Sequence, residues 1–281
     1  VPAAGGNPRI LTAALDRWVS EFRFSSDGRW IYFSYDDAGA VHLARVNLRN
    51  AEIEPLIQGD LVVTAFDIDK SGKLAVTMNT SNDASDLYVV QNKMPRRLTN
   101  INAAFFNRVS LGNKSKVEFS SPDGTRVEAF ITTPPGFEQG RRYPTVLSIH
   151  GGPVGQFAWG YDFGTQFLAA NGYAVIEPNP RGSTGQGQAF IRGIYLNWGI
   201  TDYPDVIAAV DHAVSIGVSD PERLAVTGYS YGGYMTNVVI TRTGRFRAAA
   251  SGAGHSLIIA NYGHDIYQKW YNWELGVPWE N

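Results

Sequence analysis

The 281-residue sequence contains no cysteine. This absence excludes disulfide bonds, thiolate zinc sites and a cysteine nucleophile, but it does not separate a cytoplasmic from a periplasmic location. A charge excess of either sign is also missing, because 24 Lys and Arg residues balance 26 Asp and Glu residues to give a formal net charge of -2. Nucleic-acid phosphates demand a basic face, so we expect no nucleic-acid partner.

Long apolar runs are absent as well. No stretch approaches the roughly 20 consecutive apolar residues that a membrane-spanning helix requires. With 44% hydrophobic and 18% charged residues, the chain has enough apolar side chains for an ordinary core. We therefore expect a soluble globular protein without a membrane partner, and the sequence leaves its oligomeric state and its compartment open.

The first 110 residues carry a repeat of short alternating apolar stretches. The segment Phe22–Phe33 resembles Phe66–Thr77, an offset of 44 residues, and each copy has a polar turn with Gly28 or Gly72 in its middle. Four short strands per unit of about 40–50 residues predict two β-propeller blades, with a generic antiparallel sheet as the alternative. Because a propeller ring has about four to eight blades, we expect the chain to be truncated on its N-terminal side.

After residue 110 the sequence alternates between strands and helices. Residues 111–281 begin with a hairpin around Pro122-Asp123-Gly124. Short apolar strands that alternate with helices predict a parallel sheet covered on both faces, and hence an α/β domain. The predicted strands and helices that follow the hairpin are Thr145–Ile149, Phe163–Ala170 (helix), Ala174–Ile176, Tyr203–Ile216 (helix), Leu224–Thr227, Gly232–Thr241 (helix) and Ala248–Ser251.

One motif in this second domain predicts a nucleophile. The run Gly228-Tyr229-Ser230-Tyr231-Gly232-Gly233 lies between a predicted strand and a predicted helix. It matches the G-x-S-x-G elbow, in which a strained turn holds up the serine and the glycines let neighbouring backbone approach closely. The motif predicts an α/β-hydrolase core with Ser230 as nucleophile; the alternative is a glycine-rich turn with an idle serine.

A second motif predicts the oxyanion site. His150-Gly151-Gly152-Pro153 directly follows the predicted strand Thr145–Ile149. In α/β-hydrolases this loop supplies one oxyanion-hole N–H and the residue after the nucleophile supplies the other, which predicts the N–H groups of Gly152 and Tyr231. Each such donor contributes about 3 kcal/mol of transition-state stabilisation. We expect His150 to serve the loop's structure, because it precedes the nucleophile in the chain.

Four motifs together carry a family resemblance. They are His150–Pro153, Pro178–Gly185, Asn197–Gly199 with Asp202 and Asp205, and Gly228–Tyr234. Over roughly residues 113–281 the chain resembles the prolyl oligopeptidase family (peptidase family S9), and most of all its acylaminoacyl-peptidase and dipeptidyl-aminopeptidase-like branch. The resemblance implies a serine peptidase for short peptides with a Ser, Asp, His triad, a covering propeller, and no metal or organic cofactor.

The same resemblance assigns further residues. It implies a helix over residues 185–198. Asp202, Asp205 and Arg181 are expected to be structural, because acids and caps at the start of a helix serve its dipole.

The resemblance also places the triad Asp and His well beyond the elbow, and residues 271–281 match family sequence that precedes the triad Asp. We therefore expect a sheet that is incomplete at its C-terminal side, in a fragment whose partner is the missing C-terminal part of the hydrolase domain. Such a chain alone should be a poor catalyst, because an isolated serine has no general base. His255, His264 and Asp265 are the available substitutes, and we expect them to be structural.

Three functions are compatible with these motifs. The first is a serine peptidase that releases an N-terminal acyl-amino acid or dipeptide through an acyl-enzyme on Ser230. The others are a carboxylesterase on the same core and a non-catalytic peptide-binding module. The sequence does not fix substrate specificity or separate exopeptidase from endopeptidase activity; Phe157, Trp159 and Tyr161 are candidate lining residues of a specificity pocket.

Overall fold

The structure is a computed structural model that describes residues 5–280. It divides into two compact units. Of the described residues, 5–108, 158–161 and 185–188 form the first unit, and the others form the second.

The first unit is built from two four-stranded antiparallel meanders. Its elements are β1 (Val19–Phe24), β2 (Trp30–Asp37), β3 (Ala40–Asn47), β4 (Ile53–Ile57), β5 (Val62–Ile68), β6 (Leu74–Thr80), β7 (Asp83–Gln91), β8 (Met94–Arg97) and α1 (Ala103–Phe106). Within β1–β4 and within β5–β8, each strand pairs antiparallel with the next one along the chain. A single parallel pair, Val41 with Val62, joins the two meanders.

The two copies of the sequence repeat form equivalent hairpins. The first copy is β1 with β2 and the second is β5 with β6. Gly28 and Gly72 occupy matching turn positions with φ of 67° and 85°, a region that favours glycine. Their N–H groups donate to the carbonyl oxygens of Ser25 and Asp69, at 3.0 Å in both cases. The predicted hairpins are thereby confirmed, with a turn that the polar residues and the glycine specify.

The second unit contains a six-stranded sheet with helices. Its elements are β9 (Asn113–Ser120), β10 (Arg126–Thr133), β11 (Tyr143–Ile149), α2 (Phe163–Ala170), β12 (Ala174–Asn179), α3 (Gln188–Ile191), α4 (Asp202–Ser215), β13 (Ser219–Tyr229), α5 (Tyr231–Arg242), β14 (Phe246–Gly252), α6 (Ile258–His264) and α7 (Gln268–Glu274). The strand order is β14-β13-β11-β12-β10-β9.

The prediction of a parallel sheet is correct for only part of this unit. Strands β11 to β14 pair in parallel, whereas β10 is antiparallel to both β9 and β12. The short turn at Pro122-Asp123-Gly124 explains why β9 and β10 are antiparallel to each other, since a tight turn can join only antiparallel strands. The antiparallel pairing of β10 with β12 does not follow from that turn. The hairpin therefore adds an antiparallel margin, and the sheet is mixed.

Side chains alternate between the two faces of the sheet along β12. Ile176 packs in the main core with Val206 of α4 and Met235 of α5. The next residue, Glu177, points to the opposite face, where Thr165 of α2 donates a hydrogen bond to it at 2.8 Å. Helices α4 and α5 thus cover one face, and α2 covers the other face beside β10 and β12.

A buried ion pair lies beneath α2. Lys114 Nζ of β9 is 3.1 Å from Glu177 Oε2, and the two side chains are 4% and 2% exposed. The same ammonium lies 4.6 Å from the centre of the Phe130 ring. Each charge is removed from water, so each depends on the other for compensation.

The helix predicted over residues 185–198 is wrong. Only α3 forms there, followed by a short 3₁₀ turn at Arg192–Ile194. Gly185, Gly187 and Leu196 have φ of 86°, 90° and 59°, which an α-helix does not allow. The glycines therefore favour a folded loop in this segment.

Within residues 5–280, no helix combines the length and the apolar character that crossing a membrane would take.

The buried pair gives a test of the packing under α2. We expect Lys114→Met to lower the free energy of unfolding by about 3–5 kcal/mol, because it leaves the Glu177 carboxylate buried without a cation. Lys114→Met combined with Glu177→Gln should recover most of that loss, since the remaining amide is neutral. Equilibrium urea unfolding measures both. Equal destabilisation of the single and double variants would show that packing volume, not charge, dominates this contact.

Candidate active site

Ser230 lies at an abrupt bend between a strand and a helix. It follows the last residue of β13 and precedes the first residue of α5, with φ 58° and ψ -120°. A non-glycine residue in such a region costs about 1–3 kcal/mol and persists only where its surroundings hold it. Here the Ser230 N–H donates to the Gly252 carbonyl, and the Ser230 carbonyl accepts from Tyr234 N–H, both at 2.9 Å. The bend that the sequence predicted is present.

The glycines of the motif allow close backbone contacts around the bend. A Cβ atom on Gly228 would lie 2.3 Å from the Gly232 carbonyl oxygen, and one on Gly232 would lie 2.0 Å from the Ile149 carbonyl oxygen. Both distances are far below van der Waals contact, so only glycine fits. The first turn of α5 is consequently pressed against the end of β11, where the 150–153 loop begins.

The 150–153 loop and the bend meet directly. A Cβ atom on Gly151 would be 3.2 Å from the Tyr229 carbonyl oxygen and 3.6 Å from Ser230 Cβ. Gly152 has φ 127°, and a Cβ atom there would be 2.6 Å from the Val154 nitrogen. The loop lies beside the serine as the sequence predicted. Gly152 is required by its backbone angle and by the available space, whereas a Cβ on Gly151 would be only a tight fit.

His150 is a structural part of this loop. Its Nδ1 is 2.8 Å from the Gly151 carbonyl oxygen, and its Nε2 is 2.9 Å from Ser183 Oγ. A carbonyl oxygen only accepts, so Nδ1 carries the proton and Nε2 accepts from the Ser183 hydroxyl. Burial lowers the pKa of His150, which favours this neutral form. The imidazole is fully occupied in holding the loop.

This hydrogen bond also orients the next peptide group. Because the Gly151–Gly152 peptide is planar and trans, fixing the Gly151 carbonyl turns the Gly152 N–H in the opposite direction. Tyr231 is the first residue of α5, and the first N–H groups of a helix lack an intrahelical acceptor. The structure thus brings together the segments that contain both predicted donors; the oxyanion role of Gly152 and Tyr231 stays a prediction.

The acids at the start of α4 have different partners. Arg181 donates from its backbone N–H, Nε and Nη2 to the Asp205 carboxylate at 2.7–2.9 Å, and from Nη1 to Asp123 at 2.5 Å. Asp202 instead accepts from the Tyr231 hydroxyl and from the Tyr203 N–H. Arg181 and Asp205 match their structural expectation, whereas sequence reasoning missed the contact between Asp202 and Tyr231.

Asp202 is a buried carboxyl group without a cation. Its residue surface is 0% exposed, and none of the ion pairs within residues 5–280 includes it. Burial raises the pKa of Asp202 from its usual value of 3.8 to about 6, against the opposing effect of the hydrogen bond from Tyr231. No spacing rule pairs two residues that are 29 positions apart, so no sequence pattern signals this contact.

A cleft of about 610 Å³ runs beside the carboxyl ends of β11, β13 and β14. His150, Gly151, Phe157, Tyr229 and Ser251 are among its lining residues. Of the three predicted pocket aromatics, Phe157 alone lines this cleft.

Trp159 and Tyr161 pack instead within the first unit. The Trp159 N–H donates to the Gly39 carbonyl oxygen, and the Tyr161 ring contacts Phe106.

The three substitute catalytic residues have other surroundings. The His255 ring contacts the Asn261 amide, and Asp265 accepts from the Tyr267 N–H and the Tyr271 hydroxyl. His264 is exposed in the last turn of α6. In the part of the chain that the structure describes, none of them forms a hydrogen bond to Ser230, and no group of three or more His, Asp or Glu side chains is arranged to hold a metal ion.

The raised pKa of Asp202 predicts a pH dependence of the free energy of unfolding. Its folded-state pKa of about 6 exceeds the usual 3.8, so the folded state binds more protons between these values. The stability that this group contributes is present below about pH 4 and is lost as the pH rises through about 6, a loss of up to about 3 kcal/mol.

We expect Asp202→Asn to remove that loss. The free energy of unfolding of the wild type minus that of the variant should therefore fall between pH 4 and 6 in urea titrations. A difference that stays constant over this range would contradict a neutral, buried Asp202.

Comparison with known proteins gives a consistent result. Residues 159–281 match the prolyl oligopeptidase family. The chain is 32% identical over 256 residues to the "uncharacterized peptidase YuxL" of Bacillus subtilis, covering 90% of this chain and 39% of that protein. It is 27% identical over 284 residues to dipeptidyl-peptidase 5 of Porphyromonas gingivalis, covering 99% of this chain and 41% of that protein.

Solved structures resemble the chain over both units. An acylaminoacyl peptidase in complex with Z-Gly-Gly-Phe-chloromethyl ketone gives a TM-score of 0.88 at 27% identity, over 96% of this chain and 43% of that one. The uncomplexed Pyrococcus horikoshii acylaminoacyl peptidase gives a TM-score of 0.88 at 26% identity with the same coverage. The chain spans about two fifths of the length of the relatives it matches. These matches and the motifs around Ser230 identify the chain as a member of the prolyl oligopeptidase family.

Proposed function

We propose that the protein is a serine peptidase that hydrolyses short peptides through an acyl-enzyme on Ser230. The observation that carries this proposal is the strained bend at Ser230 with the 150–153 loop directly against it. A serine held at such a bend presents its hydroxyl to a carbonyl carbon, and the neighbouring main-chain N–H groups receive the charge that develops on the carbonyl oxygen.

The chemistry follows the two steps of acyl transfer. Ser230 Oγ attacks the scissile carbonyl, the oxyanion lies toward the Gly152 and Tyr231 N–H groups, and the amine leaves when it takes up a proton. Water then hydrolyses the ester and regenerates the serine. The family resemblance assigns proton transfer to a histidine that an aspartate orients. His255, His264 and Asp265 do not contact Ser230, so we propose none of them for that role.

The names of the relatives support a particular substrate class. The chain resembles proteins named acylaminoacyl peptidase and dipeptidyl-peptidase 5. We propose accordingly that the product is an N-terminal acyl-amino acid or a dipeptide.

We propose that residues 1–110 are part of a β-propeller and that residues 111–281 are the N-terminal part of the hydrolase domain. The two equivalent meanders, repeated at an offset of 44 residues, support the first assignment. The nucleophile bend between β13 and α5 supports the second. In the family that the sequence resembles, a propeller restricts substrates to short peptides, which agrees with the proposed product.

An active-site probe tests the nucleophile. In the full-length gene product, we expect a fluorophosphonate to label Ser230, because phosphonylation needs the same activated hydroxyl and oxyanion site as acylation. Mass spectrometry of the labelled peptide locates the site. Ser230→Ala should abolish labelling, whereas Ser215→Ala, an exposed serine at the end of α4, should label like the wild type. Labelling that survives Ser230→Ala rejects this nucleophile.

A pair of substrates tests the reaction class. We expect an acyl-amino acid or dipeptidyl p-nitroanilide to be hydrolysed with a kcat/KM roughly tenfold or more above that of a short-chain p-nitrophenyl ester, equivalent to about 1.4 kcal/mol of transition-state stabilisation. The Ser230→Ala variant provides the background rate for both substrates. A preference for the ester favours a carboxylesterase, and peptide binding without turnover of either substrate favours a non-catalytic binding module.

A further inference from the structure

The residue that follows the nucleophile is anchored through its side chain. Tyr231 is 2% exposed, and its hydroxyl donates to Asp202 Oδ2 on α4. Its ring packs edge-on against Trp198, with centroids 5.2 Å apart and an interplanar angle of 82°. The side chain is therefore held at its ring and at its tip, and it belongs to the residue whose backbone N–H is the predicted second oxyanion donor.

Asp202 is equally constrained. Its Oδ1 accepts the Tyr203 N–H at 3.0 Å, while Oδ2 accepts the Tyr231 hydroxyl. Because the carboxyl lies at the start of α4, the positive end of that helix dipole favours its charged form. Within the described residues, no Lys, Arg or His forms an ion pair with the Asp202 carboxylate.

Other titratable and charged groups lie near Asp202 and Tyr231 on α4, α5 and α7. Tyr234 of α5 faces Asp202 and donates its own hydroxyl to the Trp198 carbonyl at 3.1 Å. Asp205 of α4 is paired with Arg181. Arg242 of α5 donates to the Gly199 carbonyl and lies over the Tyr203 ring. From α7, the half-buried Glu274 interacts with Trp198. Among the described residues, the hydroxyl of Tyr231 nevertheless bonds only to Asp202.

We propose that Asp202 is a positioning residue for the reaction at Ser230, acting through the Tyr231 side chain to fix the Tyr231 N–H at the start of α5. This inference rests on the proposed function, because it gives the Tyr231 N–H a task only if Ser230 is acylated. The geometry supports it: Tyr231 Cα lies between a side chain held by Asp202 and Trp198 and the strained Ser230, so loss of the side-chain anchor frees the backbone that carries the donor N–H to shift. A donor displaced by about 1 Å costs about 100-fold in rate.

The ionisation of Asp202 adds a measurable signature. Burial raises the pKa of Asp202 to about 6, so its charge changes within an accessible pH range. A carboxylate is a stronger hydrogen-bond acceptor than a neutral carboxyl or an amide. The wild type should therefore hold Tyr231 most firmly above that pH, and Asp202→Asn should hold it with the same weaker bond at every pH.

The experiment uses the full-length gene product and three variants. Tyr231→Phe removes the hydroxyl, Asp202→Ala removes the acceptor, and Asp202→Asn retains an uncharged acceptor of the same shape. Each is characterised by kcat and KM on a peptidyl anilide, by the rate of fluorophosphonate labelling at Ser230, and by Tm. The matched control is Tyr143→Phe, which removes another buried tyrosine hydroxyl, the acceptor of the Glu138 N–H, at the opposite end of β11.

We expect Tyr231→Phe and Asp202→Ala to lower kcat and the labelling rate about tenfold or more while KM stays within about twofold, because an oxyanion donor acts in the transition state. Asp202→Asn should recover most of that rate. The ratio of wild-type to Asp202→Asn kcat should approach one below about pH 5 and rise to a plateau above about pH 7. Tyr143→Phe should lower Tm without a comparable change in kcat.

The outcomes separate the two proposals. A wild type that does not label at Ser230 overturns the proposed function, and the inference with it. A wild type that labels, with Tyr231→Phe and Asp202→Ala at wild-type rates and a reduced Tm, overturns the inference alone. Where those variants do not fold, Asp202→Asn decides: a kcat ratio that is independent of pH between 5 and 8 overturns the inference, and a ratio that rises through about 6 supports it.

Discussion

The contact between Gly232 and the Ile149 carbonyl is the constraint on which the rest of the site depends. It brings the first turn of α5 against the end of β11 at a distance that no side chain could share. This approach fixes where the helix starts, and therefore forces the chain to turn within one residue after β13. Ser230 takes up that turn at φ 58°, and the 150–153 loop, which leaves the same end of β11, is placed beside it. One close backbone contact thus accounts for the position of both motifs.

The sequence predicts the bounds of those helices that begin at a capping residue and end at a glycine turn. Helix α2 has the predicted bounds Phe163–Ala170, because Asp162 caps its start and Asn171-Gly172 ends it. The helix after Ser230 is predicted to within one residue at each end, whereas β13 begins five residues before the predicted strand. The sequence was less informative about β9 and β10, since alternation predicts strands but not the direction in which a hairpin pairs with the rest of the sheet.

The features that escaped the sequence are those that depend on distant contacts. The family resemblance implied a helix over residues 185–198, but Gly185 and Gly187 at positive φ interrupt it and leave a folded loop. Asp202 and Asp205 look alike as acids in the first turn of α4, yet one is paired with Arg181 and the other with a tyrosine hydroxyl. Their partners distinguish them: Arg181 follows β12 and Tyr231 begins α5, and neither contact is encoded in any spacing within α4. Their energetic consequences differ accordingly: Asp205 is compensated by a cation, and Asp202 is compensated by hydrogen bonds alone.

The backbone angle of Ser230 has a consequence for how this position evolves. At φ 58° and ψ -120°, glycine would relax strain that serine has to bear, so thermodynamic stability by itself selects against the residue that is found there. The nucleophile position is thus one where folding and chemistry pull in opposite directions. A lineage freed from the need for turnover would be expected to drift toward glycine at 230 and to become more heat-resistant as it did so.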